Sequence, residues 1–263
     1  MSGESIDFIS VIIDLNPYIW SASKLSLEQT INHILIFVNS HVSLNYNNQV
    51  AVFYSHPNST DFLFPKHSES LDKKLEARNK PGNAYKQFWH INEQILFNLK
   101  ALASLDTEEE EFKPSLLSNT ISMALTYINR IIRKYEPQTV NSRIIIVSVS
   151  PDIPSQYITI MNNIFCAQRL MIKMDICKLL NEDSVFLQQA AYLTSGVYVK
   201  VEYPERLIHY LMHSFLPNSS MRETLALRSG DQVDFRAACF CHKKIVDVGF
   251  VCSVCLSSKE FIY

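Results

Sequence analysis

Asp7-Phe8-Ile9-Ser10-Val11-Ile12-Ile13-Asp14-Leu15-Asn16-Pro17-Tyr18 is the stretch whose reading decides the fold. Between Phe8 and Ile13 only Ser10 is polar, and β-branched residues dominate. A run of that length and composition fits a strand buried on both faces, as at the centre of a parallel sheet. The run ends at Asp14, and Asn16-Pro17 is expected to turn the chain. Ligands of open α/β sheets gather at the carboxyl ends of strands, so Asp14 stands where a site would form.

Working outward, residues 143–150 (RIIIVSVS) make a second continuous run and the other candidate for a central strand. Residues 49–54, 171–179 and 197–201 add shorter strands, and 61–64 pairs with 49–54 as an antiparallel edge. Helical spacing fills the intervals: 27–42 with Ser26 as N-cap, 85–105, 114–135, 154–169, 184–194 and 204–216. The helix at 114–135 carries the stripe Leu117, Ile121, Leu125, Ile128 and Ile132. Strands alternating with helices predict a doubly wound, mostly parallel α/β sheet over residues 1–216. A polar linker is expected at 217–234, followed by a cysteine-rich tail at 235–263.

Composition narrows the function. At 263 residues, 47% hydrophobic and 19% charged, the chain can bury a sizeable core. The net charge of −2 supplies no sequence-wide attraction to nucleic acid or anionic membrane. The amino terminus lacks the basic residues of a secretory signal, and no apolar run approaches the ~20 residues of a membrane span. An intracellular protein is expected. The five glycines are widely scattered, which rules out the glycine-rich loops that cradle phosphates. Neither a G-x-S-x-G elbow nor an H-E-x-x-H pair occurs. The acidic run at 106–111 reads as a solvated loop, and His33 and His41 as surface or packed histidines. Asp152, just past the 143–150 strand, is a second carboxylate at the sheet edge occupied by Asp14. Two such carboxylates can bind a hard cation, although strand-end residues more often form turns.

Of six cysteines, Cys166 and Cys177 sit among apolar neighbours and read as buried thiols. The others, Cys239, Cys241, Cys252 and Cys255, crowd the tail with His242: five soft or borderline ligands within seventeen positions. Zinc takes four such ligands in a tetrahedron, and Cys252-x-x-Cys255 supplies two with little chain strain. Cys239-x-Cys241 is tighter than the usual knuckle and Cys239-x-x-His242 is better spaced, so the grouping stays open.

Five segments together carry a resemblance: Asp14-Leu-Asn-Pro17, residues 157–168 (YITIMNNIFCAQ), Leu187-Gln-Gln-Ala190, residues 234–242 (DFRAACFCH) and residues 249–256 (GFVCSVCL). The chain resembles the smaller von Willebrand A-type subunits of the general transcription and DNA-repair factor TFIIH. The resemblance implies a von Willebrand A domain followed by a C4-type zinc finger. It also implies a nuclear, non-catalytic architectural role in RNA polymerase II initiation and nucleotide excision repair. The implied partners are the larger TFIIH core subunit, which carries its own von Willebrand A and zinc-binding domains, and the other core subunits. Direct nucleic-acid contact is not expected.

Two departures from the family pattern matter. Metal-binding von Willebrand A domains end their first strand in D-x-S-x-S, whose oxygens hold Mg²⁺. Here those positions are Asp14, Asn16 and Tyr18, and a tyrosine cannot bring an oxygen to ~2.1 Å of Mg²⁺ in a serine's space. A degenerate cation site without Mg²⁺ is expected; the alternative is a metal-dependent ligand-binding domain using Asp14 and Asp152. Family members also continue past Cys255 to another CxxC pair, whereas this chain ends at Tyr263. Either the sequence is a shortened form, or Cys239 with Cys241 or His242 completes the zinc site.

Overall fold

A computed structural model describes residues 6–23, 26–66, 85–103, 113–180 and 183–225, with 237–239, 245–246, 249–251 and 258–260 in the tail. The acidic run at 106–111 and the ligand candidates Cys241, His242, Cys252 and Cys255 lie outside the described residues.

The apolar run at the amino terminus forms β1 (Ile6–Asp14), buried along almost its whole length. It pairs in parallel with β2 (Gln49–Ser55) on one side and β4 (Val140–Ser148) on the other. β5 (Lys173–Lys178) and β6 (Tyr198–Lys200) continue the parallel set, and β3 (Thr60–Phe64) closes the far edge antiparallel to β2. The order β3-β2-β1-β4-β5-β6 puts β1 in the middle, which is why its sequence lacks polar alternation.

Period-two alternation divides the core between the two faces. Ile9, Val11 and Ile13 point to the layer built from α1 (Pro17–Ala22), α2 (Leu27–Leu44) and α3 (Lys86–Ala103). α7 (Leu207–Tyr210), with the π-turn Leu211–Phe215 that continues it, completes that layer. Phe8 and Ile12 point to the layer of α4 (Leu117–Tyr135), α5 (Tyr157–Arg169) and α6 (Val185–Leu193). The doubly wound expectation holds, edge hairpin included, and Ser26 caps α2 by accepting from the Gln29 N–H. Gly196 packs so tightly on β5 that a Cβ there would lie 1.9 Å from the Met174 carbonyl oxygen.

Three local readings change. Asn16-Pro17 does not merely turn the chain: Pro17 is the first residue of α1, where its missing N–H has no partner to lose. Residues 217–234, read as linker, begin with a docked helix, α8 (Ser219–Thr224), capped by the Asn218 side chain accepting from the Met221 N–H. Cys166 is exposed rather than buried: Ile164 and Ala167 of α5 face inward, and the helical period turns Cys166 outward. Cys177 is buried, and desolvation pushes its thiol up to about 12.

In the tail the described residues form two short antiparallel pairs, β7 (Ala237–Ala238) with β8 (Ile245–Val246), and β9 (Gly249–Val251) with β10 (Ser258–Glu260).

Candidate functional site at the carboxyl edge of the sheet

Asp14 is fully buried. Its Oδ1 accepts from the Ser115 hydroxyl at 2.7 Å, and its Oδ2 from the N–H groups of Val149 and Ser150 at 3.2 and 2.8 Å. The Ser115 and Ser150 hydroxyls meet at 3.2 Å, and Gln156 donates to the Ser115 carbonyl. The carboxylate therefore clamps the segment leading into α4 against the loop that follows β4. These donors take three of the roughly four acceptor directions of the carboxylate.

Asn16 is also fully buried; its Nδ2 donates to the Lys113 carbonyl at 2.9 Å, while its Oδ1 finds no partner among the described residues. Tyr18 is 49% exposed on α1, turned to solvent rather than into the edge. The three positions of the D-x-S-x-S pattern thus end in three different surroundings.

Asp152 serves elsewhere. It accepts from the Ser184 hydroxyl and from the Phe186 N–H at 3.0 Å, which fastens the amino end of α6. Burial raises its pKa above the usual carboxylate value, and the Ser184 hydrogen bond opposes that rise. Asp14 and Asp152 flank the same loop, yet Asp14 is held by Ser115, Val149 and Ser150 and Asp152 by Ser184 and Phe186. Beside Asp152 lies a cavity of about 20 Å³, lined in part by Ser115, Ser148, Ser150, Asp152 and Gln156. That is room for roughly one water. Among the described residues no three His, Cys, Asp or Glu side chains converge as metal ligands.

Sequence reasoning missed Ser115, Ser150 and Lys178. Lys178, the last residue of β5, is completely buried and its ammonium donates to the Ser150 carbonyl. β5 also carries Lys173 and Asp175, so a further charged residue at its end gives no distinctive local signal. At the opposite edge of the sheet a groove of about 950 Å³ runs past Tyr46, Gln49, Gln87 and Tyr135. Its lining offers amides, aromatics and a threonine hydroxyl, but no carboxylate, imidazole, thiol or amine to drive acid–base chemistry.

For the tail, Cys239 is the described ligand candidate; it is buried and directly follows β7. A buried thiol at the end of a hairpin strand has the donor chemistry of a structural zinc ligand.

Solved structures share this architecture. The von Willebrand factor type A protein from Catenulispora acidiphila superposes with a TM-score of 0.51 at 12% identity, covering 79% of this chain and 41% of that one. These values speak to fold alone. The crystal structure of the TFIIH p34 N-terminal domain matches more closely than that, with a TM-score of 0.67 at 31% identity over 80% of this chain and 97% of that one. In sequence, the chain is 36% identical over 258 residues to the general transcription and DNA repair factor IIH subunit tfb4 of Schizosaccharomyces pombe, covering 97% of this chain and 85% of that protein. It is 35% identical to the TFB4 subunit of Arabidopsis thaliana, with 97% and 84% covered. Residues 6–259 match the family model for transcription factor Tfb4, so this von Willebrand A-like chain belongs to the Tfb4 family.

Proposed function

We propose that this protein is the Tfb4-type subunit of a TFIIH core complex, acting in transcription initiation and nucleotide excision repair as a nuclear, non-catalytic scaffold. The relatives' names carry the assignment to the complex. One observation supports the architectural reading: the strand-end carboxylate Asp14 is spent on Ser115, Val149 and Ser150, and so holds loops together rather than a cation. The sheet then acts as a rigid frame whose helices and loops meet the larger TFIIH subunit with von Willebrand A and zinc-binding domains.

In the same reading the tail holds one structural Zn²⁺ through Cys252 and Cys255 with Cys239 and Cys241, His242 being the substitute ligand. Such an ion supplies folding energy to a segment too short to bury a core, rather than catalysis. The experiment is co-expression with the larger subunit. Stoichiometric co-purification that is equal with and without Mg²⁺ is the expected result. Failure of the full chain to bind would overturn the scaffold reading, and saturable Mg²⁺ binding lost in Asp14→Ala would replace it with metal-dependent ligand binding.

A further inference from the structure

Strand pairing lays one polar row across the carboxyl edge of the sheet. Ser55 on β2 pairs with Asp14 on β1; Ser148 follows Val147, the partner of Ile13, on β4; and Ser148 pairs with Lys178 on β5. Their strand neighbours Tyr54, Ile13, Val147 and Cys177 all face the α2 layer. Period-two alternation therefore turns the four polar residues to the opposite side, beneath α4, α5 and α6. All four are fully buried, and the Ser55 and Ser148 hydroxyls have no partner among the described residues. Lys178 donates to the Ser150 carbonyl, while the Ser150 N–H donates to Asp14. One residue thus links the ammonium to the carboxylate.

We propose that the Lys178 ammonium is the built-in cation of this edge, occupying the electrostatic role that a divalent ion would fill beside Asp14 and Asp152. A buried ammonium must be balanced by carboxylates, and these two flank the loop to which it is bonded. The Lys178 charge also opposes the burial that raises the Asp152 pKa. Being covalently tethered, this cation cannot dissociate. It holds the loop after β4 in one state and repels a divalent ion. If Lys178 were cut back to a hydroxyl, the space it leaves would face the Ser148 hydroxyl, the Ser150 carbonyl and the side of the small cavity lined by Asp152, oxygen donors of the hard kind that Mg²⁺ and Mn²⁺ accept.

The inference rests on the metal-independent reading above, and its test separates the two. Thermal unfolding and calorimetry are run on the full chain, with EDTA or with MgCl₂ or MnCl₂ added to excess over EDTA, for the wild type and for Lys178→Ser, Lys178→Met, Asp14→Asn and the Asp14→Asn/Lys178→Met double variant. The wild type should ignore both ions. Lys178→Ser should melt on the order of 10 °C lower in EDTA and recover at least half of that loss, saturably, with Mg²⁺ or Mn²⁺. Lys178→Met should fall similarly and recover nothing. The double variant should melt higher than the sum of the two single losses predicts. If Lys178→Ser does not fold in EDTA, the cycle through the double variant still decides. An ion-insensitive Lys178→Ser, or additive losses in the cycle, overturns this inference alone. Saturable Mg²⁺ binding by the wild type that is lost in Asp14→Asn overturns both readings.

Discussion

Asp175 is where a single substitution should be felt most. Its carboxylate is fully buried and takes both Arg222 nitrogens, Nη1 at 2.9 Å and Nη2 at 2.7 Å, with the Val197 N–H at 2.9 Å. Arg143 stands 3.7 Å away and donates to the Phe215 and Pro217 carbonyls. One anion therefore balances two nearly buried guanidiniums, and Arg222 brings α8 with it. Asp175→Asn keeps the shape but leaves those charges unbalanced, and breaking a buried pair in this way costs about 3–5 kcal/mol. For a domain of this size the melting temperature should drop on the order of 10 °C. Arg222→Met removes one arm yet leaves Asp175 its contacts with Arg143 and Val197, so it should cost less, about 2 kcal/mol. It should also free α8. Chymotrypsin would then cut faster beside Leu225, while the 1–216 body stays resistant. A loss below about 1 kcal/mol in Asp175→Asn, or unchanged cleavage in Arg222→Met, would refute the reasoning.

Three further outcomes follow from the geometry. His41 is buried, and desolvation first, then the Arg143 charge, lowers its pKa from 6.5 to about 4. The unfolded chain takes up that proton at higher pH than the folded one, so stability is lost as pH falls from about 6.5 towards 4. The loss should approach about 3 kcal/mol, and denaturant unfolding should show it flattened in His41→Gln. A maleimide should label Cys166, which is exposed, rapidly in the folded chain and leave Cys177 unreacted; Cys166→Ser should remove that fast phase. For the tail, metal analysis by mass spectrometry should find one zinc per chain, falling in Cys252→Ser with local unfolding of the tail. A metal-free protein with an ordered tail would contradict the zinc assignment.

The parts of the fold legible in sequence were those set by local composition. β1 and β4 are buried on both faces, so their apolar runs stand out without any knowledge of their neighbours. The features that escaped depend on contacts between distant residues. Arg222 meets Asp175 across 47 positions and Ser115 meets Asp14 across 101, separations on which helical and strand periods are silent. Lys178 falls inside the 171–179 run read as a strand, and nothing local shows that α4, α5 and α6 lie over it. Pro17 has the same sequence signal whether it breaks a strand or opens a helix, and only the following turn, with Trp20 donating to the Asp14 carbonyl, distinguishes them. At the candidate site, the replacement of both serines of the D-x-S-x-S pattern by Asn16 and Tyr18 was plain from sequence. The occupation of Asp14 by Ser115 and two backbone N–H groups was not.

The most direct measurement of the central claim is reconstitution of the full chain with the larger von Willebrand A and zinc-binding subunit, followed by stoichiometry and affinity in Mg²⁺-containing and Mg²⁺-free buffer. The expected result is a one-to-one complex of equal affinity in both buffers, unaffected by Asp14→Asn in any preparation that remains folded. A complex that forms only with Mg²⁺, or none at all, would contradict it.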